Sequence, residues 1–130
     1  MATTDNIVSF VANSAITEFA LVSVLSTGKI QVTASEDETN CVGIAQRAAS
    51  AGDSVEVVVL GKSRAIAGGP IVPATMNLLM SDASGRLVAF DEAAGNYAVA
   101  RMIPNINQTG ASAGEQINVI FTGPVALTAS

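Results

Sequence analysis

The sequence repeats itself, and this repeat limits the possible folds more than any other feature. "SAGDSVEVVVLG" (50–61) returns as "SAGEQINVIFTG" (112–123). Earlier in the chain, "FALVSVLSTGKIQV" (19–32) matches "MNLLMSDASGRLVA" (76–89). Matches that keep the same order indicate a duplicated structural unit, and two copies are too few for a long solenoid.

A third matched pair lies between these blocks, "VGIAQ" (42–46) and "YAVAR" (97–101). The copies therefore span about 19–61 and 76–123, and we expect them to share one β-domain over 19–124. Two copies of a unit of three or four strands favour either a compact β-barrel or a β-sandwich.

The second copy carries about seven extra residues between its last two blocks, within "IPNINQTGAS" (103–112). Insertions of this kind are tolerated in surface loops, where the entropy of closing a longer loop is small. We therefore interpret Pro104, Asn105, Asn107 and Gln108 as a specialised loop.

Short apolar runs rich in β-branched residues, each bounded by turn-forming residues, predict ten strands and an all-β fold. The predicted strands are 7–12, 19–25, 29–34, 41–46, 54–60, 62–67, 76–80, 86–90, 97–102 and 116–121. Helix should be limited to single turns near 12–18, 48–53 or 91–95.

The two ends of the chain lie outside the repeat. Residues 1–18 are predicted to form an N-terminal arm and lead-in, and 125–130 a C-terminal tail. The segment "DNIVSFVA" (5–12) is an apolar run that reads as an extended strand.

The composition argues against several classes of protein. Of the 130 residues, 49% are hydrophobic and 13% are charged, and the net charge is −5. Nucleic-acid binding is not expected, because phosphate contacts need clustered basic residues. No apolar run is long enough for a membrane helix, and an acidic residue near the start argues against a signal peptide.

The residues needed for most enzymatic or metal chemistry are missing from the sequence. Histidine is absent, and the one cysteine, Cys41, lies in an apolar run where it is expected to be a small buried residue. The acidic stretches 36–38 and 91–92 fit solvated turns, and 36–38 lacks the spacing of a calcium loop. We expect no cofactor, no metal and no enzymatic activity.

"VGIAQRAASAGDSVEVVVLG" (42–61), with "TGKIQV" (27–32) ahead of it, resembles a stretch found in the tailed-phage capsid decoration proteins, also called cement or head-stabilising proteins. "SGRLVAF", "YAVARM" and "SAGEQINVIFTG" in the second copy are similar to the same pattern. The resemblance covers residues 19–124 and rests on turns and buried strands.

This resemblance implies a virion protein that is made in the host cytoplasm and sits on the outer surface of the capsid. It implies a homotrimer that binds the major capsid protein where capsomers meet and stabilises the expanded head. In the family the N-terminal segment can add a strand to the sheet of the capsid protein. The matching residues here are Ile7, Val8, Phe10 and Val11.

Two alternatives remain open on the sequence. The chain could be another structural β-protein of the virion, such as a tail tube, a baseplate component or the base of a fibre. A small carbohydrate-binding or hydrolytic domain using Asp82, Asp91 and Glu92 is less favoured, because sugar sites usually recruit aromatic side chains and this chain has few.

Overall fold

The described part of the chain forms ten β-strands at the positions that the short apolar runs predict. In the computed structural model, residues 6–33, 40–73, 76, 78–82, 84–90, 97–104, 106 and 108–126 are described. The strands are β1 Ile7–Val11, β2 Leu21–Val24, β3 Ile30–Val32, β4 Cys41–Ala45, β5 Ser54–Val58, β6 Gly61–Ile66, β7 Leu78–Ser81, β8 Leu87–Ala89, β9 Tyr97–Met102 and β10 Gln116–Ala126. No helical turn forms over 12–18 or 48–53, and 91–95 lies outside the described residues.

The strands form two five-stranded antiparallel sheets with the same topology. Their strand orders are β1-β5-β4-β2-β3 and β6-β10-β9-β7-β8, so each strand of the first sheet has a counterpart five strands later. We call β1–β5 (7–58) the first half and β6–β10 (61–126) the second half. The all-β class and the two-unit construction are confirmed.

Each sheet rolls up until its two outer strands meet. Ala12 forms a parallel bridge with Ile30 in the first half, and Ala67 forms the matching bridge with Leu87 in the second. In a ring of five strands with antiparallel neighbours, the first and last strands must run in the same direction, which explains the parallel bridges. Each half is thus a partly closed barrel.

The repeated unit is longer than the matched sequences indicate. The copies run over 7–58 and 61–126, because β1 pairs with β5 as β6 pairs with β10. Residues 7–11 therefore belong to the first sheet, which corrects the prediction that they form an arm outside the repeat. Sequence matching missed this because "IVSFV" and its counterpart "KSRAI" are identical at no aligned position.

The match between β4 and β9 also needs a correction of two residues. Gln46 N–H bonds to Glu56 C=O at 2.9 Å, and the corresponding bond runs from Ile103 N–H to Asn118 C=O at 2.8 Å. Gln46 therefore corresponds to Ile103. A shift of two residues keeps every side chain on the same face of a strand, so the apolar pattern alone does not reveal it.

The corrected match changes the size of the insertion. Between Gln46 and Ala49 the first half has the two residues 47–48, whereas between Ile103 and Ala111 the second half has the seven residues 104–110. The second half therefore carries five extra residues in this loop rather than about seven.

The similar sequences "SAGD" (50–53) and "SAGE" (112–115) form the same turn in the two halves. Gly52 and Gly114 both have a φ of 90°, in the left-handed region that glycine occupies without steric cost. The carboxylate of Asp53 accepts a bond of 3.0 Å from the Ser50 N–H, and that of Glu115 accepts one of 2.7 Å from the Ser112 N–H. The repeated sequence thus specifies a turn, as its residue types predict.

Each half has its own core on the side that we call its front face. In the first half it consists of Ala12, Ile16, Val22, Ile30, Ala45, Val55 and Val57. The equivalent residues of the second half are Ala67, Ile71, Leu79, Leu87, Met102, Ile117 and Val119, and they belong to a larger cluster.

Residues from the opposite face of the first sheet complete the larger cluster. Leu21, Cys41 and Ile44 lie on this back face and pack with the front-face residues Val99 and Phe121 of the second half. Cys41 is buried, as predicted. The two halves therefore stack front to back, with the back face of the first half covering the front face of the second.

Candidate functional site

β1 is the exposed edge of the first sheet. It pairs in antiparallel register with β5 from Ile7 opposite Val58 to Val11 opposite Ser54. Along residues 7–11 no described strand pairs with the other edge of β1, and the bridge to β3 lies just beyond it, between Ala12 and Ile30. That edge leaves a row of backbone N–H and C=O groups available to a strand of another chain.

The side chains of β1 divide between its two faces. Ile7 and Val11 point to the back face and are 48% and 42% exposed, with Ser9 between them. Val8 and Phe10 point to the front face, where Val8 is 41% exposed and Phe10 is half-buried against the core of the first half. All four residues predicted for the capsid contact therefore lie on this strand, in two groups.

The equivalent edge strand β6 provides an internal control for these features. At the positions that correspond to Ile7 and Ser9, β6 has Lys62 and Arg64, and both are exposed. Charged side chains on an edge strand are a common protection against unwanted strand pairing. β6 carries that protection and β1 carries none, so β1 is the edge suited to a partner.

The predicted specialised loop is described only in part. Pro104 is exposed, and Gln108 donates a hydrogen bond of 2.8 Å from its side chain to Gln116 C=O. Asn105 and Asn107 lie outside the described residues. Ile106, which was not among the predicted loop residues, is 96% exposed.

An open cleft of about 490 Å³ lies between the halves. It is lined by Phe19, Gln46, Lys62, Ser63, Arg64 and Asn118. Gln46 spans the junction, and its side-chain amide donates a hydrogen bond of 3.0 Å to Ser63 Oγ. The described lining offers two cations, the side-chain amides of Gln46 and Asn118, and the Ser63 hydroxyl.

Near the site, Arg47 and Glu56 form an ion pair within the chain. Arg47 Nε lies 2.9 Å from Glu56 Oε1, and another guanidinium nitrogen bonds to Ser54 C=O. The hydrogen bond from Arg47 holds the pKa of Glu56 below its ordinary value. Lys29 and Arg86 occupy equivalent positions after the two hairpin glycines, as the sequence match indicates.

Asp82, one residue of the carbohydrate hypothesis, is committed to its own turn. Its carboxylate accepts hydrogen bonds from the backbone N–H groups of Ser84 and Arg86 at 2.8 and 2.9 Å, and Arg86 Nε lies 3.3 Å away. Asp91 and Glu92 lie outside the described residues. Asp82 thus acts as the turn-forming side chain of the β7–β8 hairpin.

Within the described part of the chain, no cluster of three or more potential metal ligands is present. Nor does any helix there have the length and hydropathy needed to cross a membrane.

No protein-family model matches the chain, and no curated protein matches its sequence. A solved structure does match: the N base of the head fibre gp8.5 of bacteriophage phi29, with a TM-score of 0.66 and 17% sequence identity. The match covers 92% of this chain and 96% of that one. The two proteins share a fold.

This shared fold includes both halves, since nearly the whole of each chain is aligned. Sequence comparison alone missed the likeness at this low identity because a barrel of short strands needs only apolar alternation and turn-forming residues, and many sequences supply both.

Proposed function

We propose that this chain is a structural protein of a bacteriophage virion that sits on the outer surface of the head. The exposed, uncharged edge of β1 carries the proposal, because it is a docking edge in a fold whose equivalent edge strand in the second sheet, β6, is protected by charge. The likeness to the base of a phage head fibre supports attachment to a head.

The attachment uses the free edge of β1 and its back-face side chains Ile7 and Val11. A strand of the major capsid protein pairs with this edge, so that its backbone groups are satisfied while the two apolar side chains are covered. Because the other edge of β1 already pairs with β5, only one side of the strand is available. The proposal includes the homotrimer implied by the resemblance, and it assigns the chain no catalytic step.

The test is co-sedimentation of the purified chain with heads that lack it. We expect the unaltered chain to bind expanded heads and the double variant Ile7→Lys, Val11→Lys to bind more than tenfold more weakly. Two lysines on an edge disfavour strand pairing and must lose hydration on docking, and about 1.4 kcal/mol suffices for each factor of ten.

The matched control is Ile66→Lys, since Ile66 occupies on β6 the position of Val11 on β1. This control should bind as the unaltered chain does, and thermal unfolding should show that all variants are folded. Equal binding by the β1 variant and the control would count against the docking edge, and no binding by the unaltered chain would count against head attachment itself.

The base of a head fibre is a second candidate for the role on the head, favoured by the likeness to such a base. A decoration protein clamps neighbouring capsomers, so its removal should lower the temperature at which filled heads release DNA. A fibre base binds without this effect. Comparing the heat stability of heads with and without the chain separates the two roles.

A further inference from the structure

The contact between the two halves is asymmetric. The first half contributes its back face, with Leu21, Cys41 and Ile44, and the second half contributes its front face, with Phe121. Gln46 of the first half also bonds to Ser63 of the second at 3.0 Å. The two halves are copies of one unit, so each of these two faces has a counterpart on the other half. The counterparts, the back face of the second half and the front face of the first half, lie outside this contact.

The back face of the second half is the first such counterpart. Ile120 corresponds to Val58 and is 39% exposed, whereas Val58 is 6% exposed. Leu78 corresponds to the fully buried Leu21 and is only half-buried. Residues that the first half buries against the second are thus open to solvent on the second half.

The front face of the first half is the other counterpart. Val8 corresponds to Ser63 and is 41% exposed, whereas Ser63 is 8% exposed. Val59 corresponds to Phe121 and is half-buried, whereas Phe121 is buried. The rim of the first core is therefore apolar and uncovered, while the rim of the second core is covered by the first half.

We infer that copies of this chain associate head to tail, the back face of the second half in one copy covering the front face of the first half in the next. The contact repeats between chains the arrangement that already joins the two halves. It does not depend on attachment to a head.

Both open surfaces bring apolar side chains to this contact, which favours their burial against each other over exposure to water. Within one chain, the polar residues Gln46 and Ser63 join the two halves. In the proposed contact between chains, Ile103 takes the position of Gln46, and Val8 takes the position of Ser63. Both members have changed from polar to apolar together. A matched change of this kind preserves complementarity, since neither side leaves a buried polar group without a partner.

The hairpin glycines support the same arrangement. Gly85 is buried at the junction, where its C=O accepts a bond of 2.8 Å from Leu21 N–H and an added Cβ would lie 2.5 Å from Val32 Cγ1. Its counterpart Gly28 is exposed, with nothing within 4 Å of an added Cβ. In the proposed contact Gly28 of the next copy lies against Leu78.

The open back face carries Lys62 at the position of Ile7, and it carries Arg101 at the position of the buried Ile44. The aliphatic stem of Arg101 can cover apolar surface while its guanidinium stays in water at the rim. Arginine is also enriched in protein interfaces, so this exchange suits a contact between chains.

Such a contact joins two different surfaces, so each copy presents one of each and the copies form a ring or a chain rather than a two-fold dimer. This distinction can be tested by cross-linking. All chains carry Cys41→Ala, because alanine occupies the equivalent position 98 in the second half. Each chain also carries either Val8→Cys or Ile103→Cys. A short bis-maleimide is added to each chain alone and to their mixture.

We expect cross-linked dimers in the mixture, each containing one chain of each kind, and almost none in either chain alone. Dimers from Val8→Cys alone or Ile103→Cys alone, in the yield of the mixture, would mean a two-fold contact and overturn the inference. So would the absence of cross-links in the mixture at high micromolar concentration.

The native mass of single variants gives an independent test. Ile120→Lys alters the open back face and should reduce the mass of the assembly to that of one chain. Val11→Lys serves as control, because Val11 is 42% exposed and lies on the back face of the first half, outside both open surfaces, and it should leave the mass unchanged. An unaltered mass for the Ile120→Lys chain, with its fold intact by circular dichroism, would contradict the proposed contact.

Discussion

Gly43 in β4 shows how closely the first half is packed. A Cβ added here would lie 2.1 Å from Val58 O and 2.6 Å from Val57 Cγ1, closer than real Cβ atoms come to other atoms. The equivalent residue of the second half is Ala100, which is accommodated and buried. The β4–β5 pairing ends at Ile44 opposite Val58, one residue short of Gly43, whereas Ala100 pairs with Phe121.

We expect Gly43→Ala to lower the free energy of unfolding by about 1–3 kcal/mol, because β4 and β5 must move apart. The reverse exchange, Ala100→Gly, should cost only about 0.5–1 kcal/mol, mainly through the greater freedom of glycine in the unfolded chain. Urea denaturation of both variants measures the difference. A smaller effect at Gly43 than at Ala100 would contradict the close approach of β5.

At the level of elements, β1 serves the core and the surface at the same time. Its partner β5 would lose a hydrogen-bonding neighbour without it, and Ala12, which is buried, directly follows it. A strand of this kind cannot act as a removable arm. The strands β1 and β6 occupy equivalent positions in their sheets but differ in their exposed side chains. We attribute this difference to the surroundings of each edge, since only the edge of β1 is proposed to bind a partner.

Deletion of residues 2–12 should therefore destabilise the fold as well as remove the docking edge. We expect a lower thermal midpoint than in the full chain, because β5 becomes an unpaired edge and the first core loses Phe10 and Ala12. Circular dichroism during heating measures this. An unchanged midpoint would mean that β1 does not stabilise the fold, and it would support the prediction from the sequence that residues 1–18 form an arm.

At the level of the whole molecule, the two cores are joined by three residues from the back face of the first half. Leu21, Cys41 and Ile44 pack into the cluster of the second half, so separating the halves exposes all three to water. Cys41 is 7% exposed in the native chain, and its thiol can report on that separation. Because each half buries apolar surface of the other, they should unfold together.

We expect thiol labelling of Cys41 and the loss of circular dichroism to occur at the same urea concentration. Ile44→Ala should lower the free energy of unfolding by about 2–5 kcal/mol, since it leaves a cavity between the halves. Both signals should then change together at a lower urea concentration. Labelling of Cys41 at urea concentrations where the circular dichroism is still native would show that the halves separate first.

Sequence reasoning predicted the ten strands, the two-copy construction and the repeated turns. These features depend on neighbouring residues: apolar alternation for strands, glycine at positive φ for turns, and a turn carboxylate such as Asp53 or Glu115. The sequence also identified Ile7, Val8, Phe10 and Val11 as a segment of interest, because they are apolar and uncharged.

Three features became visible only in the folded chain: where the copies begin, how β4 matches β9, and the position of β1 at the edge of the first sheet. Strand pairing joins residues far apart in the chain, such as Ile7 and Val58, and a shift of two residues leaves the apolar pattern unchanged. The front-to-back stacking of the halves was equally out of reach, since Ile44 and Arg101 occupy equivalent positions and differ in burial only because one half covers the other.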